Sequence, residues 1–230
     1  LIGLAKDING NEKLMTEATD KLVVEGLFST LTNVNFNDAT LSAFIEKIAA
    51  EPYPMKELWN ANEDIRSLKS LILFGIRGLA AYAYHAKVLG YQNAEINRFF
   101  YKALSAIGMD DWGMEELLPI VMEVGEINLK CMALLDKANT ETYGNPVPSE
   151  VSLTVEKGPF IVISGHDLYD LKQLLEQTEG KGINIYTHGE MIPSHGYPGL
   201  KKYPHLVGNF GGAWQDQQKE FDNIPGCILM

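Results

Sequence analysis

The sequence predicts a multidomain protein of α and α/β type. A helical bundle domain with an internal repeat is expected over residues 1–150, and the first part of a Rossmann-like parallel α/β domain over residues 151–230. Three observations predict this. Apolar residues recur at helical spacing up to about Asn145. Two stretches of that region match one another 76 residues apart, without a gap. After Val151 the pattern changes to short apolar runs alternating with a helical stretch, the order expected of βαβ units in a parallel sheet.

The longest helix candidate runs over residues 65–89. Its apolar residues Leu68, Leu71, Ile72, Gly75, Leu79 and Tyr82 follow three- and four-residue steps. Gly90 is placed to end it, because glycine tolerates the left-handed backbone of a helix terminus. Residues 95–107 and 114–137 are further helix candidates, and the polar stretch 139–148, with its Gly and Pro, reads as a linker. The repeat pairs residues 28–31 with 104–107. At the same offset it pairs Phe36 with Trp112, Leu41 with Leu117, Ile45 with Val121 and Ile48 with Val124. Amphipathic helices share a period, so chance matching competes with duplication; a true duplication predicts two related helical units. In the second part, residues 159–164 and 182–187 are strand candidates with a helix over 167–179 between them. Residues 203–208 and 226–230 supply two more strands, with a helical stretch at 215–221.

At 46% hydrophobic and 21% charged residues the chain can bury an ordinary core. A net charge of −11 argues against nucleic acid and anionic membranes as partners. No apolar run reaches the roughly 18 residues of a spanning helix, and no basic and then apolar leader opens the chain. Cys131 and Cys227 form no C-x-x-C motif; they read as two reduced, buried thiols, which points to a cytoplasmic setting. The chain opens at Leu1, not Met, and stops inside the apolar run 227–230. It therefore reads as an internal fragment, and a truncated sheet would leave an apolar edge prone to self-association.

The chemistry is expected where strands end. His166 stands seven residues after Pro159 and Glu190 seven after Ile183, counted from the opening residues of the two predicted strands. Adjacent parallel strands would carry both to the same level of the carboxyl edge, where open α/β sheets bind ligands. An imidazole and a carboxylate there suit a first-row metal such as iron. Spacing alone leaves other roles open: such a His can cap the next helix, and such a Glu can serve as a loop anion. His188, two residues from Glu190, is a candidate to support a ligand there, with a structural role as the alternative. His85 reads as structural, and Trp214 as a core side chain at a helix start. Neither a G-x-G-x-x-G fingerprint after the first strand nor a P-loop occurs.

Ser164-Gly165-His166-Asp167, Gln177-Thr178-Glu179-Gly180, Tyr186-Thr187-His188-Gly189-Glu190-Met191 and Gly208-Asn209-Phe210-Gly211-Gly212-Ala213-Trp214 resemble the hybrid cluster protein family, also called hydroxylamine reductases. So do residues 63–68 and 133–146, and the likeness spans essentially the whole chain. The nickel–iron carbon monoxide dehydrogenases share the fold but are less similar around Glu190. The resemblance implies that His166 and Glu190 are catalytic ligands of a hybrid iron–sulfur–oxygen cluster. It implies further ligands, cysteines and a second glutamate, beyond Met230, and a second iron–sulfur cluster on cysteines before Leu1. Cys131 and Cys227 match no ligand position, so the chain alone is expected to be inactive and without cluster. The intact parent would reduce hydroxylamine to ammonia, or nitric oxide to nitrous oxide, with a small nitrogen-containing substrate and an electron donor protein as partners. A carbon monoxide dehydrogenase-like metal site and a metal-free structural or interaction module are the competing expectations.

Overall fold

The structure is a computed structural model describing residues 1–9, 11–31, 37–48 and 50–230. Phe36 of the repeat lies outside the described residues. The chain divides into two compact units, Leu1–Asp136 and Lys137–Met230.

Among the described residues of the first unit the regular elements are helices: α1 (Ile2–Ile8), α2 (Glu17–Phe28), α3 (Asp38–Glu46), α4 (Met55–Asn60), α5 (Glu63–Val88), α6 (Ala94–Ile107) and most of α7 (Met114–Tyr143). Local chemistry sets the helix starts. Thr16 and Thr19 form a reciprocal capping box at α2, and Asn93 Oδ1 accepts from the amides of Glu95 and Ile96 at α6. The core is densest around α6, where Ile96, Phe99, Phe100, Ala103, Leu104 and Ile107 recur on one face and are buried. α1, α2 and α5 pack against it. Cys131 of α7 is fully buried with its thiol toward the carbonyl of Leu79, and burial pushes its pKa up to about 12.

One expectation fails here, and the apolar spacing of α5 does not by itself mark its buried face. The buried stripe of α5 runs through Ile72, Ile76, Leu79, Ala83 and Ala86, whereas Leu71 and Tyr82 are exposed. Leu71 sits one residue, or about 100°, from the buried Ile72; on a helix apolar on several faces, periodicity identifies the helix and not its buried face. The expected linker begins too early, since α7 continues to Tyr143. Burial of Ala138 and Tyr143 outweighs the modest helix propensities of the Asn and Thr between them. Gly144, at φ 89°, ends the helix.

The second unit holds a four-stranded parallel sheet in the order β3-β2-β1-β4, from β1 (Phe160–Ile163), β2 (Asn184–His188), β3 (Leu206–Phe210) and β4 (Cys227–Leu229). α8 (Leu168–Thr178) joins β1 to β2, burying Leu171 and Leu175 one turn apart. A 3₁₀ segment, Gly189–Gly196, and α9 (Pro198–Lys201) join β2 to β3; a second, Trp214–Asp216, and α10 (Gln217–Glu220) join β3 to β4. Residues 144–150 pack within this unit, where Val147 donates its amide to Gly196. Cys227 is exposed, not buried as expected, because β4 is the outer strand of the sheet. Trp214 is likewise 66% exposed and is no core side chain.

Candidate metal site

The register of the two inner strands decides where the candidate residues fall. β1 pairs β2 in parallel, residue 160 opposite 184 through to 163 opposite 187, an offset of 24. The same offset relates His166 to Glu190, so both chains leave the sheet at one level. Each ligand candidate follows a glycine with positive φ, Gly165 at 119° and Gly189 at 53°. At Gly189 a Cβ would stand 2.7 Å from the carbonyl oxygen of Gly212, so the turn there requires glycine.

The structure brings the two side chains together: His166 Nε2 lies 2.8 Å from Glu190 Oε2. Their side chains are 70% and 60% exposed. An exposed pair of this kind contributes little to stability, so the fold does not depend on it. The contact presents one imidazole nitrogen and one carboxylate at the carboxyl edge of the sheet, donors that fit iron. They do not complete an iron–sulfur site, which is held chiefly by thiolates. Cys131 lies in the other unit, and Cys227 pairs with Ile161, in the body of the sheet rather than at its carboxyl edge. Among the described residues no group of three His, Cys, Asp or Glu side chains is arranged to hold a metal ion.

Behind the exposed pair lies a buried polar layer. His188, only 1% exposed, places Nδ1 3.0 Å from Ser164 Oγ and Nε2 2.8 Å from Glu220 Oε2. Gln217 Nε2 donates to Ser164 Oγ at 3.0 Å, and the amide of Gly212 donates to Glu220 Oε1 at 2.8 Å. The ring of Phe221 lies 4.7 Å from that of His188. Sequence reasoning singled out His188 but missed Glu220 and Gln217. α10 is four residues long, too short to show a period, and Glu220 is 32 residues from its partner. His205 Nε2 lies near Thr178 Oγ1 and the carbonyl of Leu175, and the His85 ring packs edge-on against Phe28 and Tyr84.

His195 is buried beside this layer. Thr187 Oγ1 donates to Asn209 Oδ1 and lies 2.9 Å from His195 Nε2. With that hydroxyl proton spent, the imidazole is the donor in its bond to Thr187. Burial, aided by the charge of Lys201 and opposed by the Gly208 backbone, pushes the His195 pKa from 6.5 down to about 4. The unfolded chain therefore takes up this proton first as pH falls. The stability contributed by the neutral ring is complete above about pH 6.5, is lost between 6.5 and 4, and levels off below that. The full span is roughly 3 kcal/mol. Urea unfolding measured from pH 7 to 4 should show this loss, and His195→Gln should flatten that part of the profile. An identical slope in the variant would contradict the assignment.

Residues 1–230 match the Prismane/CO dehydrogenase family. The hydroxylamine reductase of Maridesulfovibrio salexigens is 46% identical, aligned over 94% of this chain and 46% of its own length. That of Thermoanaerobacter pseudethanolicus is 45% identical over 93% of this chain and 46% of its own length. That of Methanosarcina mazei is 42% identical over 98% and 47%. The chain thus spans about half the length of the curated relatives it matches. No helix among the described residues is long and apolar enough to cross a membrane. With the match running from end to end and relatives above 40% identity, the chain belongs to the Prismane/CO dehydrogenase family.

Proposed function

We propose that the full-length protein carrying this chain is a hybrid-cluster oxidoreductase that reduces hydroxylamine, and that His166 and Glu190 are ligands of its iron–sulfur–oxygen cluster. Two observations together carry the reading. The functional name shared by these three relatives is hydroxylamine reductase, and this chain sets an imidazole and a carboxylate 2.8 Å apart at its carboxyl sheet edge. Reduction of hydroxylamine takes up two electrons and two protons and yields ammonia and water. When bound, the cluster would supply the electrons to a small nitrogen ligand at iron. This chain would supply one nitrogen and one oxygen ligand on loops set by glycine turns. Nitric oxide reduction is a second activity that the same donors accommodate. The carbon monoxide dehydrogenase reading has the family description in its favour; nickel in the purified protein would select it.

The remaining ligands would come from other parts of the full-length protein, together with the second iron–sulfur cluster. The register of β4 supports this: residue 229 lies opposite 163, so sequence following Met230 would run toward the edge that carries His166. The exposed β4 favours self-association of the isolated chain. The strand order supports the Rossmann-like reading. The duplication is supported by helix starts: α2 and α6 begin at 17 and 94, and α3 and α7 at 38 and 114, close to the 76-residue offset. Sequence domains of 1–150 and 151–230, a cytoplasmic setting and an electron donor protein complete the proposal.

The test compares two proteins. The full-length protein is expected to hold iron and sulfide and to convert hydroxylamine to ammonia with a chemical reductant. The isolated 230-residue chain is expected to stay colourless after anaerobic reconstitution. Full-length protein without iron or without ammonia production would overturn the reading.

A further inference from the structure

We propose that His188, clamped between Glu220 and Ser164, is the positioning residue of the His166–Glu190 site; the inference rests on the metal-site reading above. The two ligand loops are joined at their roots. Ser164 stands two residues before His166, and His188 two residues before Glu190. The 3.0 Å contact between Ser164 Oγ and His188 Nδ1 therefore ties the first residue after β1 to the last residue of β2, at the roots of the two ligand loops. Glu220 adds the loop after β3, because its two carboxylate oxygens take the His188 ring and the Gly212 amide, each at 2.8 Å.

The proton assignments close without a gap. In the Nε2–H tautomer His188 donates to Glu220 and accepts at Nδ1 from the Ser164 hydroxyl, which itself accepts from Gln217. The packing leaves no slack either. At Gly211, φ 70°, a Cβ would stand 2.8 Å from His188 Cδ2 and 2.6 Å from Glu220 Oε2, so the β3 loop presses directly on the pair. Burial separates the roles. His188 is 1% exposed and fully bonded, whereas the side chains of His166 and Glu190 are 70% and 60% exposed and cannot hold two loops by themselves. A Ser–His–acid line can also be a nucleophilic triad. Here Ser164 is buried, at 8% exposure, and its oxygen already accepts from Gln217, which favours the structural strap. Groups that hydrogen-bond a metal ligand directly fix its orientation, and losing one typically costs ~10–100-fold in metal affinity; His188 acts one step further back, through the backbones of both ligand loops, and the same range is taken as the scale of its loss.

The experiment uses Ser164→Ala, which removes the contact to His188 together with the bond from Gln217 and leaves the His188–Glu220 bond in place, beside His188→Gln and Glu220→Gln, with His166→Ala and Glu190→Ala as ligand controls. Iron retention in the full-length protein is measured against a chelator. Independently, nuclear Overhauser contacts between the His166 ring and the Glu190 side chain are recorded in the metal-free chain. Ser164→Ala is expected to weaken iron retention by ~10–100-fold and to erase the His166–Glu190 contacts while the chain stays folded. Contacts and retention both within about twofold of the parent values would overturn the proposal. If the ligand controls retain iron normally, the metal-site reading fails, and the metal-free contacts of Ser164→Ala alone decide whether His188 and Ser164 position the pair. If His188→Gln or Glu220→Gln does not fold, Ser164→Ala decides the outcome by itself.

Discussion

Glu190→Ala in the full-length protein is expected to lower hydroxylamine reduction by more than about 100-fold, beyond the ~10–100-fold typical of losing a ligand's supporting partner. The substitution removes the only carboxylate that the structure sets against His166 among the described residues. Stability should hardly move. The Glu190 side chain is 60% exposed, and surface changes of this kind stay within about 0.5 kcal/mol. The diagnostic result is therefore a protein with an unchanged unfolding midpoint, altered cluster spectra and almost no turnover. His166→Ala should behave in the same way. The iron–sulfur cluster expected on amino-terminal cysteines should survive both, because neither residue serves it. A fully active Glu190→Ala enzyme would refute the ligand assignment.

The opposite signature is expected in the helical unit. Phe100→Ala should destabilise it by roughly 3–5 kcal/mol through lost burial and the cavity left behind. Phe100 is 0% exposed at the centre of α6, on the face that α1, α2 and α5 pack around. Close packing leaves few side chains free to collapse into the gap. Leu129→Ala on α7, where the side chain is 68% exposed, should change stability by less than about 0.5 kcal/mol. Urea unfolding followed by circular dichroism checks both. Equal effects from the two substitutions would show that α6 does not organise this core.

Much of this arrangement is legible in the sequence, for identifiable reasons. The pairing of His166 with Glu190 follows from counting, because a parallel pair keeps one offset from the first paired residue into the loops. Strand candidates at 159–164 and 182–187 fall within two residues of β1 and β2, since β-branched runs bounded by glycine and proline mark them. Elsewhere periodicity is not enough. Leu71 and Tyr82 share a helical spacing with buried residues but face away, because α5 carries apolar side chains on more than one face. Residues 139–143 look like a linker by composition, yet Tyr143 is buried and holds them helical. Glu220 carries no local signal at all. Its role depends on the return of the chain after β3, which no short window contains. Cys227 and Trp214 read as core residues by type, but their strand and turn face solvent.

Whether His166 and Glu190 hold iron together can be read from crystals of the full-length protein by diffraction at the iron absorption edge. An anomalous peak is expected within bonding distance of His166 Nε2 and of a Glu190 carboxylate oxygen, with the direct contact between the two side chains replaced by bonds to the metal. An iron site elsewhere in the protein, with the 2.8 Å contact between His166 and Glu190 intact, would contradict the assignment.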